Sequence, residues 1–138
     1  MPIQRFASGG AYEDEVGYSR VVVAVGGCGR TGWTAGTTAL VGREVLHPGD
    51  AYAQAMVALQ SALFALERAG FDRDDTVGAR MYVVDLVRDA EAVGRAHAEL
   101  LGEARPAATM VGVTALVDPE MLVEVELTAW RAEDGPVA

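Results

Sequence analysis

The stretch Met121–Trp130, MLVEVELTAW, alternates from end to end. Met121, Val123, Val125, Leu127 and Ala129 point one way, and Glu124, Glu126 and Thr128 the other, which is the period of a β-strand with one apolar face. Its two carboxylates share the polar face, roughly 7 Å apart by strand rise. An apolar sheet face has to be covered, so the rest of the chain must supply a second layer.

Working outward, the turn-like Val117-Asp118-Pro119-Glu120 separates this strand from another apolar run, Ala108–Leu116. Upstream, Thr76–Val84 (TVGARMYVV) alternates too, with Val77, Ala79, Met81 and Val83 on one face and Arg80 and Tyr82 on the other. A helix is expected over about Asp89–Leu101, stopped by Gly102 and Pro106. Asp50 follows His47-Pro48-Gly49 and caps another helix reaching about Arg68, with Ala51, Ala55, Leu59, Ala62, Leu63 and Leu66 at helical spacing and Gly70 as its stop. Ser19–Val25 (SRVVVAV), the break Gly26-Gly27-Cys28-Gly29, and Thr31–Thr38 (TGWTAGTT) read as a hairpin. The order is therefore β-β-α-β-α-β-β, an α+β chain with one sheet backed by two helices. Only Met1–Gly10 and about Ala132–Ala138 look loosely tied, so residues 1–138 read as a single domain with a core of about 8–130.

Composition narrows the chemistry. With 51% hydrophobic residues the 138-residue chain can bury a proper core. Twenty acidic against 11 basic residues give a formal net charge of -9, which repels nucleic-acid phosphates and anionic membranes; neither is expected as a partner. Every basic side chain is Arg. The absence of Lys removes Schiff-base catalysis and lysine-anchored pyridoxal phosphate, and no cofactor is expected. The GGCG run lacks the spacing of a dinucleotide loop. His47, His97 and the lone Cys28 have no metal-ligand spacing, so no metal site is expected, and Cys28 reads as an incidental thiol. The start MPIQRFASGG lacks the basic and apolar regions of a secretion signal, which points to the cytoplasm.

Three blocks carry a resemblance: Glu13–Arg20 (EDEVGYSR), Ala35–Ala39 (AGTTA), and Arg105–Val113 (RPAATMVGV) with Leu116–Glu126 (LVDPEMLVEVE). Asp50–Gln54, Arg80–Asp85 and Gly94–His97 fall in register between them, and over about Ser8–Trp130 the chain resembles the RidA/YjgF family. That resemblance implies a fold like that of bacterial chorismate mutase, a homotrimer packed through its sheets, and small-molecule clefts between neighbouring subunits. In imine-deaminating members it implies an Arg that clamps the substrate carboxylate, a last-strand Glu that places the hydrolytic water, and backbone from a Ser-Gly pair. Here Ala108 stands in the Arg position, Ala35-Gly36 replaces Ser-Gly, Gly94 replaces a usual Asn and Met110 a common Cys. Tyr18, Gly36 and Glu124 match. Pro106-Ala107-Ala108-Thr109-Met110 resembles branches of the family that lack the Arg, and the Val25–Trp33 turn reads as lengthened, implying a remodelled entrance.

The residues then divide between functional and structural roles. Glu124 is the candidate acid/base or water-positioning group; on an isolated strand it would be a solvated carboxylate. Tyr18 closes over a ligand or donates a proton, or simply packs. Gly36 and Thr37 offer backbone and hydroxyl contacts. Ala108, Thr109 and Arg80 complete the substrate-binding set, with a salt bridge to Glu124 or Glu126 as the plainer role for Arg80, and Arg105 as the other cation near the altered motif. The leading reading is an enzyme on an imine, enamine or related carbonyl metabolite, with recognition altered from classical 2-imino acid deaminases. The alternatives are a cyclising or isomerising tailoring enzyme and a non-catalytic ligand-binding trimer. The endoribonuclease activity described for some members fits poorly with an acidic chain lacking a basic stripe.

Overall fold

The computed structural model describes residues 3–133. In chain order the elements are β1 (Ile3–Phe6), the short helix α1 (Glu13–Val16), β2 (Val21–Gly26), β3 (Gly29–Thr34), the two-residue strands β4 (Leu40–Val41) and β5 (Glu44–Val45), α2 (Ala51–Arg68), β6 (Thr76–Val83), α3 (Leu86–Leu101), β7 (Ala107–Gly112) and β8 (Val123–Ala132). Six strands form one sheet in the order β1-β2-β3-β8-β6-β7, antiparallel except for β6 and β7. β8 thus lies inside the sheet, as its unbroken alternation requires.

Val123, Val125, Leu127 and Ala129 on β8 are buried together with Val21 and Val23 of β2 and Ala79, Met81 and Val83 of β6. Over them lie Ala55, Ala58, Leu59, Ala62 and Leu66 of α2, and Val93, Ala96, Leu100 and Leu101 of α3. Small residues on α2 let the helix axis approach the sheet closely. Asp50 caps α2 by accepting the Ala53 N–H at 3.0 Å. The α+β class and the two-helix layer stand as expected.

Several boundaries differ. Ile3–Phe6, expected to be loosely tied, forms β1 on Val21–Ala24, while residues 134–138 lie outside the described part. β3 ends at Thr34 rather than Thr38, because the Thr34 hydroxyl takes the Leu127 N–H at 2.9 Å and the Ala35 N–H turns back to the Arg20 carbonyl. α3 begins at Leu86 rather than Asp89, since Asp85 is the residue that accepts a first-turn N–H, that of Arg88 at 3.1 Å. β7 stops at Gly112, short of Leu116. A register shift between Thr76 and Gly78 turns Thr76 inward and leaves Val77 exposed, against the simple alternation. No helix among the described residues is long and apolar enough to cross a membrane.

Candidate functional site

Three chain segments meet where β3 ends. Thr37 forms an isolated antiparallel bridge with Val125, exchanging both backbone hydrogen bonds at 2.8 and 2.9 Å. This lays Gly36 against Glu124: a Cβ on Gly36 would sit 3.0 Å from the Glu124 Cδ and Oε1. The Gly36 N–H lies between the bonded N–H groups of Ala35 and Thr37 and has no acceptor among the described residues.

The third segment arrives through Gly17, whose φ of 86° ends α1 and turns the chain toward β2. It delivers Tyr18 and Arg20. Arg20 donates from Nη1 to the Gly36 carbonyl (3.0 Å) and the Thr37 hydroxyl (2.9 Å), and from Nη2 to the Tyr18 hydroxyl (3.2 Å). Because Tyr18 accepts from Arg20, its own proton is left for another acceptor. Behind Arg20, at 4.0 Å, lies the carboxylate of Glu13. Burial pushes the Glu13 carboxyl up, but hydrogen bonds from the Ser8 hydroxyl, the Ser8 N–H (2.9 Å) and the Gly10 N–H (2.8 Å), with the Arg20 charge, hold it below the usual range. Glu13 therefore stays ionised and fixes both Arg20 and the loop over residues 8–10.

Tyr18, Arg20, Gly36, Thr37, Tyr82 and Glu124 lie along an open cavity of about 1050 Å³ that also extends to Phe64 and Arg68 of α2. Glu124 is half-buried, and among the described residues nothing donates to its carboxylate. Burial raises its pKa first, the neighbouring Glu126 charge adds to that, and Arg20 opposes both. Glu126 differs: it accepts the Tyr82 hydroxyl at 2.6 Å and faces Arg80 at 3.8 Å.

The sequence candidates thus separate. Glu124, Tyr18, Gly36 and Thr37 come together. Arg80 lies on the same outer sheet face, paired in register with Glu126 and Thr109, but it takes the plainer role of an exposed ion pair and does not line the cavity. Ala108 pairs with Ala79, whose side chain faces the helices, and is exposed on the edge strand β7, away from the cavity. Arg105 is exposed as well, just before β7. The Val25–Trp33 turn is a tight hairpin with Gly27 and Cys28 at its tip; its Cys28 carbonyl takes the N–H of Glu133, nine residues along from Glu124. None of its residues lines this cavity. Arg20 is the residue that sequence reasoning passed over, because it reads as an ordinary residue near the start of the Ser19–Val25 strand. The one available signal was its place in the EDEVGYSR block beside Tyr18.

A sheet with helices on one face, and a carboxylate cleft on the other where a strand is left early, defines the small α+β class to which chorismate-mutase-like proteins belong. A family model described as Endoribonuclease L-PSP matches residues 9–131. The chain belongs to this family, the YjgF/UK114 or Rid family. It is 36% identical over 129 residues to an uncharacterized Streptomyces coelicolor protein, covering 94% of this chain and 92% of that one. A crystal structure of a YjgF/YER057c/UK114 family member from Mycobacterium tuberculosis superposes with a TM-score of 0.80 at 38% identity, covering 94% and 99% of the two chains. The Escherichia coli YjgF gene product shares the fold, with a TM-score of 0.74 at 24% identity over 93% and 98%.

Proposed function

We propose that this protein is a hydrolase of imines or enamines, or of related carbonyl metabolites, with Glu124 as the acid/base group. The observation that carries the reading is the half-buried Glu124 carboxylate, unbonded by the described residues, pressed against Gly36 and open to a cavity. In this reading Glu124 takes a proton from water as the water oxygen bonds to the C=N carbon. That proton then passes to nitrogen to give the carbinolamine, and Glu124 next moves the new hydroxyl's proton to nitrogen as the C–N bond breaks to leave a carbonyl and an amine. The free Gly36 N–H and the Tyr18 proton hold the polar end of the substrate, and Arg20 supplies the cleft's positive charge from a direction different from position 108.

The outer sheet face has no helical cover, and Trp33 and Trp130 are 45% and 43% exposed on it. Two exposed tryptophans on an otherwise polar sheet face favour association, and with the family membership they support a homotrimer whose clefts lie between copies. Ala108 and Thr109, remote from the cavity in their own chain, would reach a cleft only from a neighbouring copy. A cytoplasmic location accords with the reading.

The test is a screen of 2-imino acids generated in situ beside enamines and other carbonyl metabolites, with products identified. Conversion of at least one class supports the proposal; binding without conversion across the panel would leave a ligand-binding trimer instead. Gly36→Ala is a sharper probe. A methyl group there displaces the Glu124 carboxylate by a few tenths of an ångström or more, so turnover should fall about tenfold or further while thermal stability barely changes. Full activity in the alanine variant would remove Glu124 from the chemistry.

A further inference from the structure

Glu126 stands two residues from Glu124 on the same face of β8 and also lines the cavity. Its environment is built differently. Tyr82 of β6 is the cross-strand partner of Glu124, yet its hydroxyl reaches diagonally to Glu126 at 2.6 Å. Arg80, the cross-strand partner of Glu126, adds a cation 3.8 Å from the same oxygen. One carboxylate on this face is thus tied down by two groups, and its neighbour is bonded by no described residue. We propose that Glu126, held by Tyr82 and Arg80, is a positioning residue that keeps a fixed negative charge beside Glu124 and so makes Glu124 the carrier of the cleft's exchangeable proton.

The electrostatics follow from who faces whom. Glu126 accepts the Tyr82 phenol hydrogen bond and faces Arg80, which holds its charge in place beside Glu124. Tyr82 remains the donor: the Glu126 hydrogen bond first, then burial, push its hydroxyl above the ordinary tyrosine range. At roughly 7 Å along the strand, the Glu126 charge disfavours a second anion at Glu124. The other ionisable groups facing Glu124 are Arg20, which opposes this effect and is itself held by Glu13, and Tyr18. The Gly36–Thr38 segment contributes none. One carboxylate bonded and the other open makes different roles out of residues that the alternating sequence presents as equals.

This inference rests on Glu124 being the acid/base group, but its test does not need turnover. The side-chain carboxyl carbons of uniformly 13C-glutamate-labelled, ligand-free protein are titrated by NMR, with Glu124 and Glu126 assigned by their Gln variants. In Glu126→Gln the Glu124 midpoint should fall, the neighbouring charge that raises it having been removed. In Arg80→Gln it should rise, because the cation that partly cancels Glu126 is gone. In Tyr82→Phe the Glu126 carboxylate, its donor removed, should lose its fixed place, read as added mobility in the relaxation of its labelled carboxyl carbon. All three substitutions lie on the outer sheet face, and the Arg80 variant tests the coupling even if Glu126→Gln perturbs folding. A Glu124 midpoint that moves in neither the Glu126 nor the Arg80 variant overturns the proposal, as does a Glu126 side chain no more mobile in Tyr82→Phe than in the parent protein. If the midpoints move as expected while Glu124→Gln keeps full turnover, the hydrolase reading fails and the coupling stands.

Discussion

Glu124→Gln is expected to lower turnover by about 10²–10⁴-fold and, at the same time, to make the protein more stable at pH 7. The first effect is the loss of a positioned proton acceptor. The second follows from linkage. Burial and the Glu126 charge raise the Glu124 pKa in the folded protein above its unfolded value. Between those two values the folded state holds more protons than the unfolded one, so stability declines as pH rises through that window. At neutral pH the ionised Glu124 therefore opposes folding, and an uncharged amide of the same shape removes the opposition. Below the unfolded glutamate pKa both forms of residue 124 are neutral and the gain should vanish. Thermal melts of the two proteins from acidic to neutral pH, set beside turnover, check both halves. A variant equally stable at every pH would show that Glu124 carries no such strain, and one with undiminished turnover would take it out of the reaction.

The largest stability effect is expected at Gln54. Its side chain is fully buried on α2, where a polar group survives only if its bonds are made. The amide nitrogen donates to the carbonyls of His47 (3.2 Å) and Glu120 (2.9 Å), and the amide oxygen accepts the Leu122 N–H at 2.8 Å. One side chain thus joins the turn before α2, the end of the connection after β7 and the start of β8. Gln54→Leu keeps the volume and strands the Glu120 carbonyl and the Leu122 N–H, while the His47 carbonyl keeps the Asp50 N–H, so a loss of about 2–5 kcal/mol is expected. Leu122 is two residues from Glu124, so turnover should also drop in the fraction that remains folded. Chemical denaturation measures the first effect. A loss under about 1 kcal/mol would mean that the backbone finds other partners when the amide is gone.

What could be read from the sequence follows from what each residue depends on. The alternation of Met121–Trp130 reports burial on one face alone, and both the strand and its polar Glu124 face were legible because a central strand has no freedom to slip. α2 was equally plain, its cap, stripe and Gly70 stop all being local signals. β1 was not: Ile3–Phe6 is four residues with Gln4 and Arg5 at its centre, and only pairing with the apolar β2 makes it a strand. The cleft shows the same division. Gly36 and Glu124 stood out through their matching family positions, but Arg20 acquires its place only because the chain turns at Gly17 and β3 is abandoned at Thr34, two events separated in sequence. Ala108 stands at the position of the absent clamp and Arg80 is a cation on another strand, and strand register places them on opposite faces of the sheet.

The hairpin tip has a practical consequence. Arg30 fastens it to the far end of α2, donating to the Ala69 and Gly70 carbonyls and stacking 4.7 Å from the Phe71 ring centroid. Cys28, the chain's one thiol, is exposed on this anchored turn. Nine residues of β8 put it roughly 30 Å from Glu124. A maleimide fluorophore or spin label attached there needs no cysteine-free background, should not enter the cleft, and sits on a stiff mount. Distances between labels on different copies can then be measured by electron–electron resonance, with the acid/base machinery left untouched.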